Sequence, residues 1–178
     1  MTDPNRQALG ERLKTLVRDI PDFPHEGIMF RDITTLLADG GAFREAIDGM
    51  ATGYQDIDKV VIIESRGFIL GTPIAYSLGA GVVPVRKPGR LPADTFEQAY
   101  SLEYGANALE IHVDAIEPGE RMLIVDDLLA TGGTVAATIK LVEKLGGEVA
   151  GVTVLAELSG LHGRDAVGDH HISSLIVY

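Results

Sequence analysis

The sequence contains no cysteine, and its apolar residues form only short runs. Without cysteine the chain cannot form disulfides, a catalytic thiolate, a cysteine-ligated zinc site or an iron–sulfur cluster. A membrane-spanning helix requires about 18 consecutive apolar residues, and no run approaches that length. The first residues, MTDPNRQALGERLKTLV, also lack the apolar segment of a secretory signal. These absences predict a cytoplasmic protein with no membrane partner.

The sequence also has fewer basic than acidic residues. The 178 residues include 15 Lys and Arg against 26 Asp and Glu, which gives a formal net charge of −11. This balance argues against sequence-independent binding to nucleic acid, which depends on neutralising many phosphates. The hydrophobic fraction of 46% suits one globular domain with a packed core. We predict a single domain covering residues 1–178 and no nucleic-acid partner.

The apolar pattern alternates between the periods of strands and helices. Four short runs are typical of strands buried in a parallel sheet: Lys59–Glu64, Val82–Val85, Arg121–Asp127 and Glu148–Leu158. Helical patterns occur at about residues 4–19, 42–50, 67–78 and 133–145. We predict an α/β fold with a mainly parallel central sheet flanked by helices, and ligands at the carboxyl ends of the strands. Residues 88–112 have the pattern of a loop and hairpin, which favours a functional flap.

The sequence VDDLLATGGT, Val125–Thr134, joins a strand end, two acids, a turn of small residues and a helix start. Backbone N–H groups at a helix N-terminus attract phosphate, because they point outward and the helix dipole is positive there. The acids would repel phosphate but can accept hydrogen bonds from sugar hydroxyls. On its own, TGGT is equally consistent with a tight turn before a capped helix. The whole string predicts a ribose 5-phosphate site at Asp126, Asp127, Ala130, Thr131, Gly132, Gly133 and Thr134.

Cationic residues follow the predicted strands in the first half of the sheet. Residues 59–92 carry a local net charge of +4, whereas residues 94–127 carry −8. Arg66, Arg86 and Lys87 each come after a strand, so we predict that they contact a diphosphate. The backbone N–H groups of Ser65 and Gly67 can add donors at the next helix start. The alternative is a strand-to-helix turn with a surface arginine.

Several segments carry a family resemblance. The string VDDLLATGGT resembles the motif with which type I phosphoribosyltransferases bind 5-phosphoribosyl diphosphate (PRPP). Four others resemble adenine phosphoribosyltransferases in order and spacing: FPHEGIMFRDITTLL (Phe23–Leu37), ESRGFILG (Glu64–Gly71), VRKPGRLP (Val85–Pro92) and YSLEYGANALEIH (Tyr100–His112). The resemblance covers nearly the whole chain. It implies the type I fold, with an N-terminal helix and a base-binding hood within about residues 1–35, and a flexible flap and hairpin within about residues 86–112.

The resemblance also implies a reaction. PRPP and adenine would give AMP and pyrophosphate in purine salvage, through an oxocarbenium-like transition state. Mg²⁺ would be bound mainly through PRPP, with no direct protein ligand, and the enzyme would be a homodimer. Such a reaction builds positive charge on the sugar and negative charge on the leaving group, so the site needs both acids and cations. The segregated charges of the sequence provide both.

The hood and the motif imply a base site. In the resemblance, Phe30 stacks on the purine, the backbone groups of Met29 and Arg31 bind its Watson–Crick edge, and Leu129 lines the same pocket. An aromatic residue after a loop is more often part of the core. The neighbouring FPHEG and RDIT segments favour the stacking role.

The resemblance also implies roles for residues of the flap. Glu103 would exchange a proton with the base, and Tyr104 would help to close the flap. Arg90, where the family commonly has lysine, would join the diphosphate contacts. The resemblance further implies a non-proline cis peptide between Glu64 and Ser65.

Two alternatives remain at this point. One is a PRPP-sensing regulator of transcription, although the chain has no room for a winged helix beside this domain. The other is a transferase for guanine, hypoxanthine, xanthine or orotate. Transferases for 6-oxopurines typically place a lysine on a late strand, and the segment VTVLAELSGLHGR has none. The five histidines show no metal-ligand spacing, so we expect them in loops or at the surface.

Overall fold

The chain forms nine strands and six helices within residues 4–102 and 105–178, which this computed structural model describes. The strands are β1 (Arg18–Ile20), β2 (Phe30–Asp32), β3 (Lys59–Ile63), β4 (Gly81–Val85), β5 (Thr95–Leu102), β6 (Gly105–His112), β7 (Arg121–Leu129), β8 (Glu148–Glu157) and β9 (Ile172–Val177). The helices are α1 (Pro4–Lys14), α2 (Thr34–Ala38), α3 (Gly40–Ala51), α4 (Arg66–Leu78), α5 (Gly133–Lys144) and α6 (Gly163–Val167). Among the described residues, no helix has the length and apolarity needed to cross a membrane.

The central sheet has five parallel strands in the order β4–β3–β7–β8–β9. Successive residues of a strand point to opposite faces, so each strand contributes to two cores. Val60 and Ile62 of β3 pack in one cluster with helices α1, α3 and α4. Val61 and Ile63 pack in the other cluster with α5 and the hairpin strand β6. The prediction of an α/β fold with a mainly parallel sheet and flanking helices is confirmed.

The sheet includes one strand that the sequence prediction missed. β9 has the sequence ISSLIV, in which two serines interrupt the apolar run. Both hydroxyls find partners in distant parts of the chain: Ser173 Oγ accepts from Arg6 Nη2 at 2.5 Å, and Ser174 Oγ donates to Glu157 Oε2 at 2.5 Å. A local pattern could not reveal these contacts, so the strand went unrecognised.

The amino-terminal helix is shorter than predicted. α1 ends at Lys14 rather than at about residue 19, because Arg18–Ile20 forms β1 instead. β1 pairs antiparallel with β2, with Ile20 opposite Phe30 and Asp19 opposite Arg31. We refer to this two-stranded ribbon and the loop between its strands, residues 18–32, as the hood.

The hairpin expected within residues 88–112 is formed by the antiparallel strands β5 and β6. Its side chains Leu109 and Ile111 are buried in the cluster that also contains α5. Glu103 and Tyr104 lie outside the described residues. His112 departs from the surface prediction, because its ring is half-buried on β6 and its Nε2 atom has no hydrogen-bond partner within the described part of the chain.

Candidate active site

A cavity of about 340 Å³ lies where the carboxyl ends of β3, β4 and β7 meet. Seven residues predicted from the sequence line it: Ser65, Arg66, Lys87, Asp126, Asp127, Ala130 and Thr134. Glu64, Tyr100, Leu109 and Leu128 line it too, and the sequence analysis assigned them no site role. The parallel sheet thus brings the VDDLLATGGT and ESRG segments into one site, as expected for residues that follow neighbouring strands.

The turn at the end of β7 has a conformation that would let a ligand approach its main chain closely. Gly132 is the residue that caps the start of α5, and its φ of 80° lies in the left-handed region that favours glycine. A Cβ atom at this position would lie 2.2 Å from the carbonyl oxygen of Gly163, which no side chain tolerates. The turn therefore presents main chain, with Ala130 and Thr134 at the cavity wall and Thr131 exposed. N–H groups at such a helix start suit a phosphate.

The two acids of the motif are buried side by side, each only 7% exposed. The Asp127 N–H donates to Asp126 Oδ1 at 2.8 Å, and Arg66 Nε lies 2.8 Å from Asp127 Oδ2. Burial and the neighbouring Asp127 charge raise the pKa of Asp126 well above its ordinary value. Burial also raises the pKa of Asp127, although Arg66 opposes the rise. Ligands that donate hydrogen bonds or bring positive charge stabilise the ionised form of such buried carboxylates.

A second, apolar cavity of about 340 Å³ opens beneath the hood. Ile20, Phe23, Phe30, Asp32, Thr34 and Arg66 line it. The rings of Phe23 and Phe30 meet edge to face, with centroids 5.0 Å apart. Phe23 and Asp32 belong to the quoted FPHEG and RDIT segments, so a signal for them was present in the sequence, whereas nothing in the sequence pointed to Ile20.

Arg66 lies at the boundary of the two cavities. It lines both, and its Cζ atom lies 5.1 Å from the centre of the Phe30 ring while its Nε atom contacts Asp127. The sequence predicted Arg66 at a diphosphate. The structure places it between the buried acids and the aromatic hood, within reach of a ligand that occupies both cavities.

Arg86 has an acidic partner that the sequence analysis left without a role. Arg86 Nη2 lies 3.0 Å from Glu64 Oε1, and the Lys87 N–H donates to Glu64 Oε2 at 3.0 Å. The hydrogen bond from Arg86 is the main reason that the pKa of Glu64 is lowered. Ile63 and Val85 are paired in the sheet, so the residues that follow them, Glu64 and Arg86, become neighbours. The Arg86 charge is therefore compensated in this structure.

The segment after β4 is fixed at its base by Glu110 of β6. This carboxylate is 5% exposed and accepts the N–H groups of Arg90 and Leu91 at 2.9 and 2.8 Å. Burial acts to raise the pKa of Glu110, but these backbone donors outweigh it and the pKa is lowered. The Arg90 side chain is exposed and does not line either cavity, whereas the Lys87 side chain faces the first one.

The predicted hood residues take different positions. Met29 is 45% exposed at the hood surface, and the Arg31 side chain forms an ion pair with Asp19. Leu129, expected in the base pocket, is 1% exposed in the core cluster that contains α5, so its side chain lies away from both cavities. Its neighbour Leu128 faces the opposite way and lines the first cavity, not the hood cavity. The expected cis peptide between Glu64 and Ser65 is present.

The described residues contain no group of three or more His, Asp or Glu side chains arranged to hold a metal ion. Mg²⁺ keeps several water ligands and is commonly bound through one or two carboxylates plus substrate phosphates. The acid pair beside a cationic, amide-lined cavity fits an ion that arrives with a diphosphate substrate.

Comparison with known proteins identifies the family of this chain. The family model for the phosphoribosyl transferase domain matches residues 34–174. The chain is 58% identical over 168 residues to the adenine phosphoribosyltransferase of Clostridium perfringens, covering 93% of this chain and 98% of that one. The same enzyme of Thermotoga neapolitana is also 58% identical, with 93% and 99% covered.

Solved structures lead to the same family. The adenine phosphoribosyltransferase of Thermoanaerobacter pseudethanolicus superposes with a TM-score of 0.91 at 50% identity, covering 94% of this chain and 99% of that one. The Saccharomyces cerevisiae enzyme, solved with an imino-altritol bisphosphate and adenine, gives 0.89 at 38% identity over 95% of this chain and 99% of its own. This chain belongs to the phosphoribosyltransferase family and, within it, to the adenine phosphoribosyltransferases.

Proposed function

We propose that this enzyme transfers the 5-phosphoribosyl group of PRPP to adenine, giving AMP and pyrophosphate in a Mg²⁺-dependent step of purine salvage. The observation that carries the proposal is the position of Arg66, which lines both the acid-bearing cavity and the aromatic hood cavity. A phosphosugar in the first cavity and a base in the hood cavity would be adjacent at this boundary, as their reaction requires. The yeast relative, solved with adenine and a bisphosphate, supports the same pairing of ligands.

The phosphoribosyl end of PRPP would occupy the first cavity. The 5-phosphate would accept N–H groups of Thr131, Gly132, Gly133 and Thr134 beside Ala130, at the start of α5. The ribose hydroxyls would donate to Asp126 and Asp127, whose burial makes each such hydrogen bond more favourable.

The diphosphate would lie against the end of β3. Ser65, Arg66 and Lys87 line the cavity there. The backbone N–H groups of Ser65 and Gly67 would donate to the diphosphate with Arg66 and Lys87, and Arg86 would join them by exchanging Glu64 for the ligand. Arg90 would approach by movement of its exposed side chain. Mg²⁺ would be held mainly by PRPP oxygens and, when bound, would neutralise part of the leaving-group charge.

Adenine would enter the hood cavity and stack on Phe30. The apolar walls formed by Ile20 and Phe23 favour a flat aromatic ligand. Backbone groups of Met29 and Arg31 would bind the Watson–Crick edge, where a 6-amino and a 6-oxo purine differ in donor and acceptor. The base would thereby be selected by hydrogen bonding rather than by size.

The reaction itself exchanges one bond at the anomeric carbon for another. The bond from this carbon to the diphosphate oxygen breaks with both electrons leaving on pyrophosphate, and the sugar acquires oxocarbenium character. Adenine N9 forms the new bond and loses its proton, which Glu103 would accept while Tyr104 helps to exclude water. The nearby Asp126 and Asp127 would stabilise the positive charge on the ribose.

The assembly we propose is a homodimer in the cytoplasm. Ile69 and Tyr76 recur at helical spacing on α4 and are 46% and 90% exposed, and Val82 on the edge strand β4 is 43% exposed. Apolar side chains of this size beside a sheet edge suit the packing of a second copy. A molar mass of about twice 19.0 kDa by light scattering would support this assembly.

Product analysis tests the proposed function. The purified protein is incubated with PRPP, Mg²⁺ and, in separate reactions, adenine, hypoxanthine, guanine, xanthine and orotate, and nucleotide and pyrophosphate are quantified. We expect AMP and pyrophosphate in equal amounts with adenine, and no turnover when Mg²⁺ is chelated. Absence of AMP would contradict the proposal, and binding of PRPP without turnover of any base would favour the regulator instead.

A further inference from the structure

Tyr178, which follows β9, packs directly on the back of the hood. The Cζ atom of Arg31 lies 3.9 Å from the centre of the Tyr178 ring, within the range of a cation–π contact. The Arg31 side chain is only 19% exposed, and it also forms the ion pair with Asp19. The guanidinium is therefore enclosed between an aromatic face and a carboxylate.

The direction of Arg31 follows from strand geometry. Phe30 and Asp32 face the hood cavity, so Arg31 between them points to the opposite side of β2. Its side chain cannot contact a base in that cavity. Its main chain, however, belongs to the same short strand as Phe30, so the packing of the guanidinium can help to fix the position of this strand.

Tyr178 itself is fixed to the main sheet. Its N–H donates to the Glu157 carbonyl at 2.9 Å, and its carbonyl accepts the Ser159 N–H at 3.1 Å and the Ser159 hydroxyl at 2.6 Å. β8, which ends at Glu157, pairs along its length with β7, the strand that carries Asp126 and Asp127. Tyr178 thus connects the strand of the phosphoribosyl site, by way of β8, to the strand of the base site.

We propose that Tyr178 is a positioning residue for adenine: its ring holds Arg31, and thereby the main chain of Met29–Arg31, at the height above the PRPP site that the base requires. The inference rests on the proposed function, because it needs this main chain to bind the base. Tyr178 makes no contact with substrate in this account. Its effect should therefore appear in adenine binding and leave PRPP binding unchanged.

The contributions of the Tyr178 ring and of its hydroxyl can be tested separately by two substitutions. The Tyr178 hydroxyl oxygen is buried and has no hydrogen-bond partner among the described residues. Tyr178→Phe keeps the aromatic face and removes this unpaired group, so it should fold well. Tyr178→Leu keeps apolar bulk but removes the face that the guanidinium contacts.

Lys14 supplies a matched control. Its Nζ atom lies 4.5 Å from the centre of the same ring and donates to the Val177 carbonyl at 2.5 Å, but it belongs to α1 and not to the hood. Lys14→Met removes a cation from Tyr178 without changing Arg31. A general loosening of this corner would affect both variants alike.

Steady-state kinetics with adenine and PRPP varied in turn test the proposal. For Tyr178→Leu we expect the KM for adenine to rise about tenfold, with kcat and the KM for PRPP within about twofold of wild type. Tyr178→Phe and Lys14→Met should keep the wild-type KM for adenine. An unchanged KM for adenine in Tyr178→Leu, or an equal rise in both KM values, would overturn the proposal.

A second variant and the wild-type activity distinguish the possible causes of a negative result. If Tyr178→Leu does not fold, Arg31→Lys replaces it, since a lysine can still pair with Asp19 but has no flat guanidinium to stack on the ring, and the same two outcomes apply. Failure of the wild type to make AMP would refute the proposed function, whereas AMP production with unaltered kinetics in the variant would refute only the role of Tyr178.

Discussion

Arg66 Nε lies 2.8 Å from Asp127 Oδ2, which joins the start of α4 to the end of β7 at the carboxyl edge of the sheet. The contact offsets part of the cost of burying two adjacent acids, each 7% exposed. The same guanidinium lies 5.1 Å from the Phe30 ring. One side chain thereby connects the proposed sites of ribose, diphosphate and base.

Replacement of Arg66 by methionine should affect both stability and turnover. The Asp127 carboxylate would stay buried without its cation, so the free energy of unfolding should fall by about 1–3 kcal/mol, less at acidic pH where the acid is neutralised by a proton. The lost contact with the leaving group should lower kcat/KM by about 100-fold. Urea denaturation and initial rates check the two effects.

Arg121→Met is the control for this variant. Arg121 lies at the opposite end of β7, 42% exposed and 3.9 Å from Glu148, so its loss should cost no more than about 0.5 kcal/mol. Equal effects of the two variants would contradict the role given to Arg66.

Asp126→Asn should stabilise the protein and impair it as an enzyme. The raised pKa of Asp126 means that the folded state binds a proton more tightly than the unfolded state, so stability is lost as pH rises from the unfolded pKa through the folded one. Asparagine removes this loss, and its oxygen can still accept the Asp127 N–H. The melting temperature should therefore rise, by more at alkaline than at acidic pH, while the affinity for PRPP falls. A lower melting temperature at alkaline pH would contradict this account.

Gly132→Ala should weaken PRPP binding selectively. The added methyl group would lie 2.2 Å from the Gly163 carbonyl oxygen, and the φ of 80° adds a strain of about 1–2 kcal/mol. The turn must shift to relieve this clash, so its N–H groups lose their alignment and the Kd for PRPP should rise more than about tenfold. Isothermal titration with PRPP and Mg²⁺ measures it.

Gly119→Ala is the control for Gly132→Ala, because it introduces the same backbone strain without a steric clash. Gly119 has a φ of 88° and nothing within 4 Å of its added Cβ atom, and it precedes the far end of β7. This variant should lose stability but keep the wild-type Kd for PRPP. A comparable loss of affinity would mean that general destabilisation, not the phosphate turn, accounts for the Gly132 result.

Glu103→Gln should reduce turnover far more than PRPP affinity. Glutamine keeps the size of the side chain but cannot accept the proton of adenine, so kcat should fall by about 100-fold or more. Glu97→Gln, at an exposed position of β5, provides the comparison and should have wild-type kinetics. An unchanged kcat in Glu103→Gln would remove Glu103 from the reaction.

Much of the fold could be predicted because the central strands are continuous apolar runs. β3, β7 and β8 are buried on both faces, so each is evident from its own residues. β9 was not evident, because its serines are satisfied by contacts with residues from other parts of the chain, among them Arg6, Glu157 and Arg164. The end of α1 was misplaced for a similar reason, since the pairing of β1 with β2 replaces the last helical turn.

The segments that form the site were predictable, whereas the contacts between individual side chains of different segments were not. The residues of VDDLLATGGT lie together because they are consecutive. The pairing of Arg86 with Glu64 depends on the register of β3 against β4, which the sequence does not state. The same holds for Leu129, which was predicted in the base pocket but is buried in the core, because its position depends on the face that each residue of β7 presents.

An internal competition experiment tests the central claim most directly. The wild-type protein is given PRPP, Mg²⁺ and equal concentrations of adenine and hypoxanthine, and the ratio of AMP to IMP formed at low conversion gives the ratio of the two kcat/KM values. Hydrogen bonding of the 6-amino edge by the hood main chain predicts AMP in excess by about 10⁴-fold or more. Equal amounts of the two nucleotides, or an excess of IMP, would contradict the assignment of the hood as an adenine site.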